Sequence, residues 1–418
     1  MNILIVGGGA REHAICLKLA QSKRKPKLYS APGNPGIAEL AECVEIKDKD
    51  IDALVDFAEN RNIDIVVVGP EIPLTMGISD AMIKRGIKVF GPNKSCARLE
   101  GSKAFTKAFL KKYNIPTAGY MEFSNKDEVI DSIGVFGFPM VIKADGLAAG
   151  KGVVIAEDAE TARTAIEDMM TNKKFGDAGN KIVVEEFLTG REASCLCFVD
   201  KNNIVPMESA QDYKRIFEKD KGPNTGGMGT YSPNKIFTEE LEDRIKKEIL
   251  EPTLEGLKKE KLDFHGVLFI GLMISEDGPK VIEFNVRFGD PETQSILFRM
   301  ESDLLNIIEA VVDNKLDKIK IKWSEDAACC VVMASEGYPG EYVKGREIKG
   351  IDKISDSDVF VFHAGTAIKD GKLVTNGGRV LGVTARGANL EKAKEKAFSA
   401  VEKIHFDGAQ YRKDIGKI

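Results

Sequence analysis

The sequence predicts an α/β protein (α+β overall) that opens on a doubly wound parallel sheet, and three observations carry that prediction. Short apolar strands alternate with helical stretches through the first hundred residues. Near Gly101 the texture changes to paired strands joined by glycine-rich loops. Farther on, Asp277-Gly278 stands between two apolar runs as a hairpin signal.

The N-terminal strands are expected at Ile3–Val6, Lys27–Tyr29, Ile63–Val68 and Lys88–Phe90, with helices at Glu12–Gln21, Ile51–Asn60 and Gly77–Arg85. Ligands of such sheets bind beyond the carboxyl ends of the strands. Those ends carry Gly7-Gly8-Gly9, Ala31-Pro32-Gly33-Asn34 and Gly69-Pro70-Glu71, three turn-rich loops on one edge. A basic helix, Lys103–Tyr113, follows and stops at Asn114-Ile115-Pro116. Strand Pro139–Lys143, the glycine loop 146–152, strand Val153–Ala156, a helix over 158–171 and strand Ile182–Glu185 then make a compact stretch able to move as a separate lobe. A helix over 239–260 has Thr238 as its cap and Glu239 and Glu240 at its positive end. Strands His265–Ile274 and Lys280–Asn285 flank the hairpin turn. The last ninety-odd residues, from about Ser324, hold more strands, the loop Asn376-Gly377-Gly378 and a final helix Asn389–Ile404.

A chain of 418 residues exceeds one ordinary core, so several domains are expected. A net charge of −5 gives no reason to expect nucleic acid or an anionic membrane as partner. The seven cysteines form no C-x-x-C pair and there are four histidines, so zinc spacings are missing. Cys195 and Cys197 suit one face of a strand, and the thiols are expected buried in a reducing cytosol. Met1-Asn2 lead straight into the first strand, and the longest apolar run, Ala327 to Ala334, is too short to cross a bilayer. The expectation is a cytoplasmic enzyme.

The loop Gly7-Gly8-Gly9-Ala10-Arg11-Glu12 is not a dinucleotide fingerprint, because the sixth position is Glu12 and not glycine. Arg11 and Glu12 also suit a buried helix start poorly, whereas glycine amides at a helix N-terminus welcome a phosphate. Gly146-Leu147-Ala148-Ala149-Gly150-Lys151-Gly152 is not a P-loop: the glycine spacing is one short, and Gly152 stands where Ser or Thr is required. Joining two strands, it can instead fold over a triphosphate, with its amides, Gly150, Lys151 and the strand-end Lys143 meeting negative charge.

Ile182-Val183-Val184-Glu185-Glu186-Phe187-Leu188 offers an apolar wall for adenine, and Glu192 can accept from ribose hydroxyls. A strand ending in solvated acids is an equally good reading. In Val281–Thr293, residues i, i+2 and i+4 of a strand share a face. Glu283, Asn285 and Arg287 then project together while Ile282, Phe284 and Val286 go to the core. A carboxylate beside an amide oxygen supplies hard ligands for Mg²⁺ or Mn²⁺, and an arginine on that face can neutralise a phosphoryl group in transfer. Gln211-Asp212-Tyr213-Lys214-Arg215 and the loop Asn224–Gly229 offer an acid for an ammonium, and cations and amides for a carboxylate.

Taken in order, Gly7–Ala14, Gly33–Gly36, Gly69–Glu71, Lys143–Val153, Asn224–Gly229, Glu283–Gln294 and Gly377–Val383 resemble the ATP-grasp superfamily. Within it they are similar to the phosphoribosylamine–glycine ligase family of purine biosynthesis. The resemblance implies three parts: a substrate-binding domain over 1–101, an ATP-grasp domain over 102–323 with a mobile lid at about 120–187, and a C-terminal domain over 324–418. It implies ATP held by Lys103, Lys143, Gly150, Lys151 and Glu192, with Glu185, Glu186, Phe187 and Leu188 as the adenine strip. Glu283 and Asn285 are the implied metal ligands, and Arg287, Lys143 and Asp212 the implied catalytic residues. Gly9, Arg11, Glu12, Gly33, Asn34, Glu71, Asp212, Lys214, Gly289 and Asp290 are the implied substrate contacts. The implied reaction joins glycine to 5-phosphoribosylamine through glycyl phosphate, giving glycinamide ribonucleotide, ADP and phosphate. Another ATP-grasp ligase, with a different acid or amine, is the alternative. A monofunctional monomer is expected.

Overall fold

The structure, a computed structural model, describes residues 1–148 and 152–417. Gly150 and Lys151, assigned from sequence to the nucleotide, lie outside the described residues. The first domain carries five parallel strands in the order Glu42–Cys43, Lys27–Pro32, Asn2–Gly7, Ile65–Val68, Lys88–Phe90. The helix expected at Gly77–Arg85 is found at Ile78–Lys84, and a further short helix, Glu71–Met76, precedes it. Gly77, at φ +98°, ends the first and starts the second, in a left-handed conformation that costs glycine least.

The middle of the chain is a four-stranded antiparallel sheet, Ile204–Pro206, Arg191–Val199, Gly266–Ser275, Gly278–Asn285. Its apolar face shares one core with the N-terminal sheet, where Leu4 and Val66 cluster with Ile270 and Phe284. The lobe expected around 120–187 is a second four-stranded sheet, Tyr120–Phe123, Ile182–Glu186, Met140–Ala144, Val153–Ala156. It has its own core of Ile142, Val184, Ala162 and Ile166. A lobe with a private core can shift as a body without opening its neighbour.

The C-terminal sheet runs Gln211–Asp212, Gly229–Ser232, Ala327–Ser335, Arg379–Gly387, Val359–His363. It therefore recruits two strands from before residue 324, and the sheet crosses the boundary drawn from sequence. Asn389 caps the last helix, Leu390–Val401, through its side chain.

One expectation about the hairpin fails. Opposite Gly271 and Leu272 the register slips, pairing Glu283 with Gly271 but Val281 with Leu272. The extra residue is Ile282, so Val281 and Phe284 enter the core and Ile282 is only half-buried. It lines a cleft with Asp212, Lys214 and Glu192.

Candidate active site

At the end of the first strand, the arrangement overturns the reading that Arg11 and Glu12 suit a buried helix start poorly. Both are buried, at 8% and 2% exposure. Arg11 Nε meets Glu12 Oε1 at 2.6 Å, and Glu12 Oε2 accepts from the Gly9 amide at 2.6 Å. The glutamate thus caps the helix from within, and the Gly9 amide assigned to an anion already has one. A Cβ on Gly69 would lie 2.0 Å from Glu12 Oε1, so this loop is glycine because the carboxylate fills the space. Arg11 also donates to the Phe288 carbonyl at 3.2 Å, drawing the loop toward the middle domain.

Gly33 and Asn34 belong to the same loop cluster. The Asn34 amide donates to the carbonyls of Gly8 at 2.9 Å and His363 at 2.8 Å, and its oxygen accepts from Ile37 at 2.9 Å. The side chain is committed to joining loops. Gly33 (φ +74°) brings its carbonyl within 2.4 Å of where a Cβ on Gly8 would be.

Arg287 sits where the domains converge. Nε faces Glu71 Oε2 at 3.3 Å, and Nη2 faces Glu100 Oε1 at 3.2 Å and Asn285 Oδ1 at 3.3 Å. Nη1 donates to the Phe288 carbonyl at 3.1 Å. The strand ends at Asn285, so the two-residue alternation no longer directs Arg287. It still touches Asn285, but it is turned toward two acids as well. Burial disfavours its charge, yet Glu100 and Glu71 hold its pKa above the usual range. Burial pushes the Glu100 carboxyl up in spite of Arg287, and that carboxyl also accepts from the Val286 amide at 2.7 Å.

The lysines gather between the lobe at 120–187 and the middle sheet. Lys143 Nζ meets Glu185 Oε1 at 2.9 Å and the Ile282 carbonyl at 3.3 Å. Lys107 takes the other Glu185 oxygen at 2.9 Å, and Lys103 donates to the Gly146 carbonyl at 2.8 Å. Glu186 Oε2 accepts from the Gly119 amide at 2.9 Å, and Phe187 and Leu188 follow half-buried. The acids at this strand end are therefore partnered, not solvated. Asn285 donates to Glu283 Oε1 at 3.4 Å, which puts the two on one face as the strand period predicts. Burial would raise the Glu283 carboxyl, but Lys214, Lys143 and Lys103 hold it below its usual range. Lys214, Lys143 and Lys103 thus converge on Glu283, and a polyphosphate with a divalent cation on Glu283 and Asn285 would suit that setting. Among the described residues no group of three His, Cys, Asp or Glu side chains could hold a metal alone.

Beside the cleft, Asp212 Oδ1 is buried and finds no hydrogen-bond donor among the described residues. Burial, and then the neighbouring Glu292, push the Asp212 carboxyl well up. Glu292 is buried too and accepts from Ser194 Oγ at 3.0 Å. Lys214 pairs with Glu192 at 2.8 Å, so Glu192 reaches a cation here. Arg379, from the C-terminal domain, donates to the carbonyls of Gly226 at 2.5 Å and Asp290 at 2.8 Å. Its Nη2 meets Asp290 Oδ2 at 3.4 Å. Asp290 adjoins the first loop, 3.7 Å from where a Cβ on Gly9 would be, and Gly289 leaves room for Glu292. Tyr213 turns away from this cluster and accepts from the Gly416 amide at 3.0 Å.

Glu100, Lys107, Glu292 and Arg379 were not singled out from the sequence. Lys107 had a visible signal, one helical turn beyond Lys103, and Glu292 and Arg379 lie inside quoted motifs. Glu100 had none.

A cleft gripped between two antiparallel sheets and lined with lysines defines the class, the ATP-grasp enzymes. The chain matches the phosphoribosylglycinamide synthetase N domain over residues 1–100, its ATP-grasp (A) domain over 101–293 and its C domain over 328–418. It belongs to that family, also called phosphoribosylamine–glycine ligase. Phosphoribosylamine–glycine ligase of Caldanaerobacter subterraneus subsp. tengcongensis is 50% identical over 415 residues, 99% of each chain. The crystal structure of the Thermotoga maritima phosphoribosylamine–glycine ligase is 35% identical with a TM-score of 0.88, covering 100% of both chains. The biotin carboxylase domain of Hydrogenobacter thermophilus 2-oxoglutarate carboxylase shares the fold at 15% identity and a TM-score of 0.75, over 98% of this chain and 91% of that one. That structure holds MgADP and bicarbonate.

Proposed function

We propose that the chain ligates glycine to 5-phosphoribosylamine at the expense of ATP, in purine biosynthesis, through glycyl phosphate. A carboxylate resists attack by an amine because its leaving group would be oxide. A glycine carboxylate oxygen attacks the γ-phosphorus, the bond to the β,γ-bridging oxygen breaks, and ADP leaves. The amine nitrogen then attacks the acyl carbon, the bond to the phosphate oxygen breaks, and phosphate departs as the nitrogen loses a proton. Neither step needs a Ser, Cys or His nucleophile, and positioning with charge neutralisation supplies most of the catalysis.

In this reading Lys103 and Lys143 meet the phosphates of ATP, and the segment Glu185–Leu188 lies along adenine. Glu283 and Asn285 would hold Mg²⁺ or Mn²⁺, which when bound draws charge from the phosphate oxygens. Asp212 takes the ammonium of glycine, since its buried oxygen has room for a donor, and Lys214 stands ready for the carboxylate. The edges of the Gly9, Gly33 and Glu71 loops, with Gly289 and Asp290, receive the sugar phosphate. No helix among the described residues is long and apolar enough to cross a membrane, and a monomer working in the cytoplasm is our expectation.

The observation that carries the reading is the convergence of Lys214, Lys143 and Lys103 on the half-buried Glu283 beside Asn285. The test is ADP release with Mg²⁺, glycine and phosphoribosylamine formed in situ from ribose 5-phosphate and ammonia. Release that requires both glycine and the amine, with glycinamide ribonucleotide as product, supports the reading. ADP release only with some other acid or amine would transfer the assignment to that pair.

A further inference from the structure

Glu185 is a buried carboxylate with two buried lysines on it: exposures are 3% for Glu185, 2% for Lys107 and 4% for Lys143. Lys107 comes from the helix Lys103–Lys112, outside the lobe at 120–187, whereas Glu185 and Lys143 are on neighbouring strands of that lobe. Lys107 is fixed from a second side, donating to Thr117 Oγ1 at 2.8 Å. Thr117 in turn donates to the Val281 carbonyl at 2.7 Å, two residues before Glu283. Among the described residues, Lys143 is held less firmly, with the long 3.3 Å contact to Ile282 besides Glu185.

We propose that Lys107 is a positioning residue for the nucleotide, holding one oxygen of Glu185 so that Lys143 can leave the other for a phosphate. The inference rests on the ATP-dependent reading above. Two cations on one carboxylate leave this dry cluster one positive charge in excess, and an arriving polyphosphate balances it. Without Lys107 the pair Lys143–Glu185 is neutral. Drawing Lys143 to a phosphate would then strand a buried carboxylate, which is strongly unfavourable. The shift of Lys107 agrees with an overcharged cluster: burial, opposed by Glu185 and reinforced by Lys143, brings it down to about 8.

The experiment compares Lys107→Met and Lys107→Gln, each in the native chain and in a Glu185→Gln background, by steady-state ADP release with ATP and glycine varied in turn. In the native background we expect the KM for ATP to rise about tenfold or more, with the KM for glycine within about twofold. In the Glu185→Gln background the same changes should raise it no more than about threefold, since no carboxylate remains to capture Lys143. An ATP KM within about twofold of native, or an equal rise in both backgrounds, overturns the proposal. If Lys107→Met does not fold, Lys107→Gln, which keeps a donor for Thr117, gives the same comparison. If the unsubstituted chain releases no ADP with glycine, that failure belongs to the ligase reading. Equilibrium binding of magnesium–ATP to the same set of proteins then decides the role of Lys107 by the same criterion.

Discussion

The side-chain amide of Asn34 donates to the main-chain carbonyl of His363 at 2.8 Å, joining the first domain to the last across 329 positions of sequence. The same amide reaches Gly8, and its oxygen accepts from Ile37, so one side chain fixes the second loop against the first and both against the C-terminal sheet.

Asn34→Ala removes three hydrogen bonds and leaves buried main-chain groups without partners. The expected loss is about 2–3 kcal/mol of unfolding free energy. Urea denaturation of the two proteins measures it. Turnover should fall mainly through a higher KM for phosphoribosylamine, with the KM for ATP little changed. A native midpoint would mean that the C-terminal domain docks without this bond.

His13 and His363 meet at the same junction, with the His363 amide donating to His13 Nδ1 at 2.9 Å. Burial, and then His363, bring the His13 pKa down to about 3, and burial brings His363 down to about 4. Both depressed values mean that the unfolded chain takes up protons that the folded chain refuses. Stability from these groups is complete above pH 6.5 and is lost as pH falls from there through 4 and 3. The slope is at most about 1.4 kcal/mol per pH unit for each histidine. His363→Gln should flatten the stability profile between pH 6.5 and 4, as read from denaturation midpoints across that range. An unchanged slope would assign the acid sensitivity to other groups.

Glu283→Gln keeps the shape of the side chain and removes the charge that a divalent cation needs. ADP release is expected to drop by roughly a hundredfold or more, with saturation requiring more Mg²⁺. A magnesium titration of turnover provides the check. Activity near the native level would remove Glu283 from the metal site.

How much of this was legible follows from the range of each interaction. Glu283 and Asn285 share a face because strand geometry repeats every two residues, and no distant information was needed to see it. Ile282 was misassigned because its bulge depends on how the strand at Gly266–Ser275 pairs, which lies outside the local pattern. The ends of the parallel strands could be read from the glycine loops. What occupies the first loop could not, because the reason Arg11 and Glu12 can be buried is their pairing with each other, with the Gly9 amide and with the bare backbone of Gly69. Glu100 was invisible for the same reason: its partners Val286 and Arg287 arrive from another domain.

Arg287 gives the sharpest test of that long-range organisation. Its guanidinium serves Glu71 from the first domain, Glu100 from the connecting helix, and Asn285 and the Phe288 carbonyl from the middle domain. A lysine retains the charge but offers one nitrogen, which cannot reach acceptors on several sides at once. Arg287→Lys should therefore leave Glu71 or Glu100 poorly paired in a buried place, at a cost of roughly 2–4 kcal/mol. If the arginine also steadies Asn285 for the metal, kcat should fall further than this instability explains at temperatures where the variant is fully folded. Denaturation and turnover measured on one preparation separate the two effects. A variant that is destabilised yet turns over normally would confine Arg287 to holding the domains together, leaving phosphoryl neutralisation to the lysines.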